Sequence, residues 1–189
     1  MTLTPRSSLG AVAHAVGDAL RRYGIRAVLT GGACASLHTR GRYQSHDMDF
    51  IVAGAVTQAR LDAAMASMGF TRKGDRYVHS RVEFYVEFPR GPLAIGGDYR
   101  IKPVERRGKH GRAWILSATD SSRDRLAAFY HWGDRSSLAV AVAIALRNRI
   151  RLALVERWSV KEGFADGFAE FLREVRRARG RRRPRARRG

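Results

Sequence analysis

Apolar positions recur along the chain at two different periods, and the change of period marks out its elements. Leu9, Val12, Val16 and Leu20 stand at helical spacing behind Thr4 and Pro5, and Gly24 ends the run, which predicts a first amphipathic helix over 4–22. Arg26 to Thr30 is a short apolar strand, broken by Gly31 and Gly32 before a small helix over Ala33 to His38. A polar loop, Thr39 to Ser45, leads into Asp47 to Ala53, where acidic and apolar residues alternate before an all-apolar finish. Leu61, Ala64, Met65 and Met68 then repeat on one face of a helix over 57–68, closed by Gly69.

Strand signals return in Arg76 to His79 and Arg81 to Phe88, a hairpin stopped by Pro89, Gly91 and Pro92. Leu93 to Gly97 and Tyr99 to Val104 are weaker strand candidates, and Trp114 to Leu116 is a last short one. From Thr119 the period is helical, with Leu126, Ala127 and Tyr130, then Leu138 to Leu146, then Phe164 to Val175. The three tryptophans, Trp114, Trp132 and Trp158, read as packing residues. This order predicts an α/β (α+β) fold, a mixed sheet flanked by helices over 1–116 and a helical C-terminal region over 117–175. Residues 176–189 hold arginine and almost nothing apolar, and are expected to be a disordered tail.

Charge narrows the class of partner. The chain carries +19; residues 173–189, with ten Arg and one Glu, account for +9, which leaves +10 on the rest. A body this basic favours polyanions such as nucleic acid and nucleotides. Cys34 is the only cysteine, so an intrachain disulfide and a thiolate-rich metal site are excluded. No apolar run reaches the roughly 20 residues that cross a bilayer, and the N-terminus lacks a signal-like apolar block, so a soluble cytoplasmic protein with no membrane partner is expected.

The segment Val28 to Val52 concentrates the chemistry. Gly31 and Gly32 follow a strand and open a helix, where backbone N–H groups approach phosphate oxygens with no side chain in the way. Asp47 and Asp49 are two apart on a strand, so both point to one face while Met48 and Phe50 point to the core. Adjacent carboxylates repel, and Mg²⁺ between them would keep both ionised and bridge them to a triphosphate. A third carboxylate on a neighbouring strand would complete such a site and accept a proton from an attacking hydroxyl. Glu83 and Glu87 are the candidates, with Glu87 preferred because it sits at the strand end. His46 alternates away from Asp47 and is read as a bystander, and Asp120, Asp124 and Arg125 read first as capping and surface charge.

The order Gly31, Gly32, a gap, Ser45, Asp47, Asp49 resembles the signature of the polymerase-beta-like minimal nucleotidyltransferases over about residues 25–90. That resemblance implies that Gly31, Gly32 and Ser45 contact an NTP triphosphate. It implies too that Asp47 and Asp49 bind Mg²⁺, and that a nucleoside monophosphate moves to an acceptor with release of pyrophosphate; Glu87, preferred above, is taken as the third metal-binding and catalytic carboxylate. Leu116 to Ala145 is more loosely similar to the helical region of AbiEii-type toxin nucleotidyltransferases, which carry a lysine there for the triphosphate. This chain offers Arg123 and Arg125 around Asp124, and Arg125 is taken as the phosphate contact. RNA such as tRNA, a protein hydroxyl or a small molecule are the acceptor classes, and an antitoxin or toxin protein is a candidate partner. The alternatives are an inactive nucleotide- or partner-binding protein and a basic RNA-binding module.

Overall fold

Strand β2 (Asp47–Val52) alternates half-buried Asp47 and Asp49 with fully buried Met48 and Phe50, so its sequence dictates which face meets the core. It pairs antiparallel with β1 (Ala27–Leu29) and parallel with β5 (Val82–Glu87). β4 (Arg76–His79) and β3 (Phe70–Lys73) extend the sheet beyond β5, and β7 (Gly111–Ile115) and β6 (Val104–Gly108) extend it beyond β1. The result is a seven-stranded mixed sheet in the order β3-β4-β5-β2-β1-β7-β6. With its helices this is an α/β fold with a helical C-terminal part. The computed structural model describes residues 3–182.

Helix α1 (Leu9–Arg22) packs on β1, β6 and β7 and on α3 (Gln58–Ala66), while α2 (Gly31–Thr39) packs on β2. Onto α2 are laid α4 (Ala118–Trp132) and α5 (Arg135–Ala145), followed by α6 (Leu152–Lys161) and α7 (Ala165–Arg182). One hydrophobic cluster joins Met48, Phe50 and Ile115 of the sheet to Leu126, Leu138, Phe171 and Val175 of the C-terminal helices. Among the described residues no helix is long and apolar enough to cross a membrane.

Several expected boundaries move, each for a physical reason. The first helix starts four residues later than Thr4 suggests: Ser8 is its N-cap, accepting from the Ala11 N–H at 3.3 Å, while Thr4 closes a preceding turn. β3 and β6 carry little hydrophobic signal because they are the two edges of the sheet, where Lys and Arg discourage further pairing and backbone bonds suffice. The expected strands over 93–97 and 99–104 do not form; left-handed Gly96 turns the chain and leaves one Ile95–Asp98 bridge. Residues 176–182, expected to be irregular, are helical, since Phe168, Phe171 and Val175 anchor α7 and arginine is a good helix former. The remainder of the expected tail, 183–189, lies outside the described residues. Trp158 is buried, but Trp114 is 43% exposed and Trp132 79% exposed, so those two are not core residues.

Asp134 caps α5, accepting from the Ser136 and Ser137 N–H groups at 2.9 and 3.2 Å. The Ser137 and Ser136 hydroxyls, with those amides, hold its carboxyl down to about 2. A lowered carboxylate stabilises the fold above its ordinary range, and that contribution fades as pH falls toward 2. Gly17 is where α1 touches the sheet: a Cβ there would stand 2.6 Å from the Ala113 Cβ and 2.8 Å from the Arg112 carbonyl oxygen. Replacing it with Val forces helix and strand apart, and urea unfolding should show a loss of about 2 kcal/mol. An unchanged midpoint would mean that α1 is not seated on β7 as described.

Candidate active site

Gly31 and Gly32 form the first turn of α2, with Thr30 as N-cap. The Thr30 side chain does not cap the helix; its hydroxyl donates to the Asp49 carbonyl at 3.3 Å, and its N–H donates to the same oxygen at 2.9 Å. The start of α2 is thereby tied to the middle of β2, and its first-turn amides keep their positive end without a side-chain cap. Gly31 has φ +62, and a Cβ on it would meet Asp49 Oδ2 at 2.5 Å. A Cβ on Gly32 would meet Ser45 Oγ at 2.5 Å and the Tyr43 hydroxyl at 3.2 Å. A side chain at either position would have to displace the Asp49 carboxylate or the Ser45 hydroxyl, and Gly31 is required also by its backbone conformation.

Ser45 is buried and donates its hydroxyl hydrogen bond to Asp47 Oδ1. It orients that carboxylate and fills the space above Gly32. The parallel register of β2 and β5 sets Asp47 opposite Tyr85 and Asp49 opposite Glu87. Glu87 is consequently the glutamate beside Asp49. Glu83 is 66% exposed and faces His46 at 3.9 Å, at the other end of the strand. Burial first, then the carboxylates of Asp47, Glu87 and Asp124, push the Asp49 carboxyl up to about 6, against a smaller opposing effect of Arg125.

Asp124 and Arg125 come from α4, where Arg125 donates to Asp124 Oδ2 through Nε at 3.1 Å and Nη2 at 2.8 Å. They are not the surface charges their sequence suggests: with Gly31 and Asp49 they line a pocket of about 370 Å³, with Trp132 exposed at its rim. Gly32, Ser45, Asp47 and Glu87 adjoin this pocket through the contacts above without lining it. Asp124 is the site residue that sequence reasoning passes over. Its signal is the small pair Ala127 and Ala128 one turn on, lining the same pocket. Arg123, the other arginine considered for phosphate, points elsewhere and is bound by Asp98 and Asp120 at 2.7 and 2.9 Å.

Among the described residues no three His, Cys, Asp or Glu side chains form a group that could hold a metal ion. The donor set near Asp49 is thus open, and Mg²⁺ commonly binds through one or two carboxylates plus water and phosphate oxygens. Asp47 and Asp49 lie on one face of β2, and burial, then the neighbouring carboxylates, raise the Asp49 carboxyl, a crowding that a divalent cation would relieve. The buried thiol of Cys34, pushed up to about 12 by burial and donating to the Leu116 carbonyl, has no nucleophilic part in it. A cavity of about 790 Å³ beside Arg72, Tyr77 and Arg90 contains none of these carboxylates. No protein-family model and no curated protein matches the sequence.

Without metal, the raised carboxyl makes Asp49 a liability: its stabilising protonated form is lost as pH rises from its ordinary 3.8 through about 6. Asp49→Asn should therefore be more stable than wild type at pH 8, by about 1–2 kcal/mol after allowing for solvent screening, and the gap should close by pH 4. Denaturant titrations across that range check it; a variant that is weaker at pH 8 would show that Asp49 is not crowded by like charge.

Proposed function

We propose that this protein is a Mg²⁺-dependent nucleotidyltransferase, moving a nucleoside monophosphate from an NTP to a hydroxyl of an acceptor. The observation that carries this reading is the contact between the glycine turn of α2 and the carboxylates of β2, where Gly31 leaves room for Asp49 and Gly32 for Ser45. Such a turn suits a triphosphate, because uncapped amides at a helix N-terminus bind phosphate oxygens. Asp47 and Asp49 are the residues that would hold Mg²⁺, with Glu87 beside them. Bound there, Mg²⁺ would supply positive charge against the phosphates.

The residues of the chain then have separate tasks. The amides of Gly31 and Gly32 receive phosphate oxygens, Ser45 holds Asp47 in orientation, and Arg125 supplies positive charge from α4. In the transfer, the acceptor oxygen bonds to the α-phosphorus and the bond to the β-phosphate oxygen breaks. Pyrophosphate leaves, and the hydroxyl proton passes to Glu87. Trp132 offers an exposed indole face at the pocket rim, suited to stacking on a base. Acceptor classes are RNA, a protein hydroxyl and a small molecule, and the basic body leans toward RNA. A setting in a toxin–antitoxin pair, with a protein partner, belongs to the same reading through the resemblance of Leu116 to Ala145.

A second reading, a protein that holds nucleotide or a partner without turnover, is favoured by one observation: the three carboxylates are not drawn into a three-ligand group. Incubation with Mg²⁺, each α-labelled NTP, and either total RNA or cell extract separates the two. Nucleotidyl transfer predicts a labelled acceptor, and Asp47→Ala or Asp49→Ala should cut labelling on the order of 10²- to 10³-fold, the scale of losing one electrostatic contact to developing charge. Absence of labelling with every NTP and acceptor, or full labelling by both variants, overturns the proposal.

A further inference from the structure

A second recess, of about 460 Å³, has six basic residues among the ten that line it. Arg100, Lys102, Arg123, Arg151, Arg157 and Lys161 all open onto it. Its two acids are already committed: Asp98 to Arg123 at 2.7 Å and Arg100 at 3.5 Å, and Asp120 to Arg123 at 2.9 Å. Among the described residues, Lys102, Arg151, Arg157 and Lys161 make no ion pair. Four unpaired cations around one recess repel each other, and an anion relieves that repulsion.

The recess is built rather than incidental. Arg123 is 2% exposed, clamped by both aspartates, and stacked over the Trp158 ring at 5.0 Å to its centroid. Its Nε–H is buried with no hydrogen-bond partner. Trp158 in turn donates from Nε1 to the Ile95 carbonyl at 3.2 Å, and the Gly97 N–H donates to Glu162 at 3.0 Å, so α6 holds the 93–98 loop in place. That loop is shared: Ile95 and Gly96 line the pocket of Asp49 and Arg125, whereas Asp98 lines the basic recess.

We infer that this recess binds the phosphodiester backbone of a nucleic-acid strand. Shape selects a strand over a lone phosphate: Arg151 precedes α6 and Lys161 ends it, ten residues apart, about 15 Å along the axis. Cations spread over that length match a run of phosphates. With the carboxylate pocket on the other side of the loop, a strand lying here has a path to present its end as acceptor. That last step rests on the nucleotidyltransferase reading; the binding does not.

Fluorescence anisotropy of labelled single-stranded RNA with the full chain, without NTP or divalent metal, tests the binding alone. A variant with Arg151→Gln, Arg157→Gln and Lys161→Gln should bind at least ten-fold more weakly. Its salt slope should fall by about 2, since each lost phosphate contact on a single strand removes about 0.7. Label transfer to an acceptor is read in its own assay, so failure of the transfer reaction and failure of this site are seen separately. A control with Arg173→Gln, Arg176→Gln and Arg177→Gln on α7 should lose less, and thermal melting should show all variants folded. DNA of the same sequence should lose affinity in parallel. Wild-type affinity in the α6 variant, a larger loss in the α7 control, or a loss confined to RNA overturns the assignment to backbone phosphates.

Discussion

The rest of the site depends on one contact, where the first turn of α2 presses on the middle of β2. Thr30 is bound to the Asp49 carbonyl through both its N–H and its hydroxyl, and Gly31 leaves its missing side chain to the Asp49 carboxylate. A side chain at Gly31 would be strained by its φ of +62 and would displace the Asp49 carboxylate, and α4 and α5 rest on α2. The contact thus fixes where the helical C-terminal part sits, and with it the approach of Asp124 and Arg125 to Asp49. A carboxylate crowded by three others is poorly accommodated in a folded chain, and that cost is tolerable where a cation and a phosphate complete the cluster.

Much of this was legible in the chain because it is local. Alternation in Asp47 to Phe50 assigned a face to each residue, and burial of Met48 and Phe50 follows it. The strand, double glycine and helix around residue 31 were readable from turn chemistry. What the sequence hid is non-local. Register between β2 and β5 is a parallel pairing across more than thirty residues, and only it distinguishes Glu87 from Glu83 as the neighbour of Asp49. Asp124 looked like helix-end charge because its helix could not be placed against Gly31 from periodicity alone. Edge strands β3 and β6 escaped notice since an edge needs little burial, and arginines in 176–182 masked a helix that is anchored from the preceding turns.

Positive charge is not spread evenly in its consequences. On one side of the 93–98 loop a single arginine, Arg125, faces a group of carboxylates. On the other side, basic residues outnumber the two aspartates that bind Arg123. Both sides use α4, whose Arg123 and Arg125, two positions apart, are turned to different recesses by the helical period. A helix of fifteen residues therefore lines two recesses of opposite charge, one with the carboxylates of Asp49 and Asp124 and one with an excess of arginine and lysine.

The central claim is that Asp47 and Asp49 share a divalent ion with a triphosphate held at the Gly31–Gly32 turn. Electron paramagnetic resonance of Mn²⁺ in the presence of a nonhydrolysable NTP analogue measures this directly. The account predicts that wild-type protein immobilises the ion only when the analogue is present, and that Asp47→Asn and Asp49→Asn each release it. Immobilised Mn²⁺ unchanged by either substitution, or no immobilisation in the wild-type protein with the analogue, would contradict it.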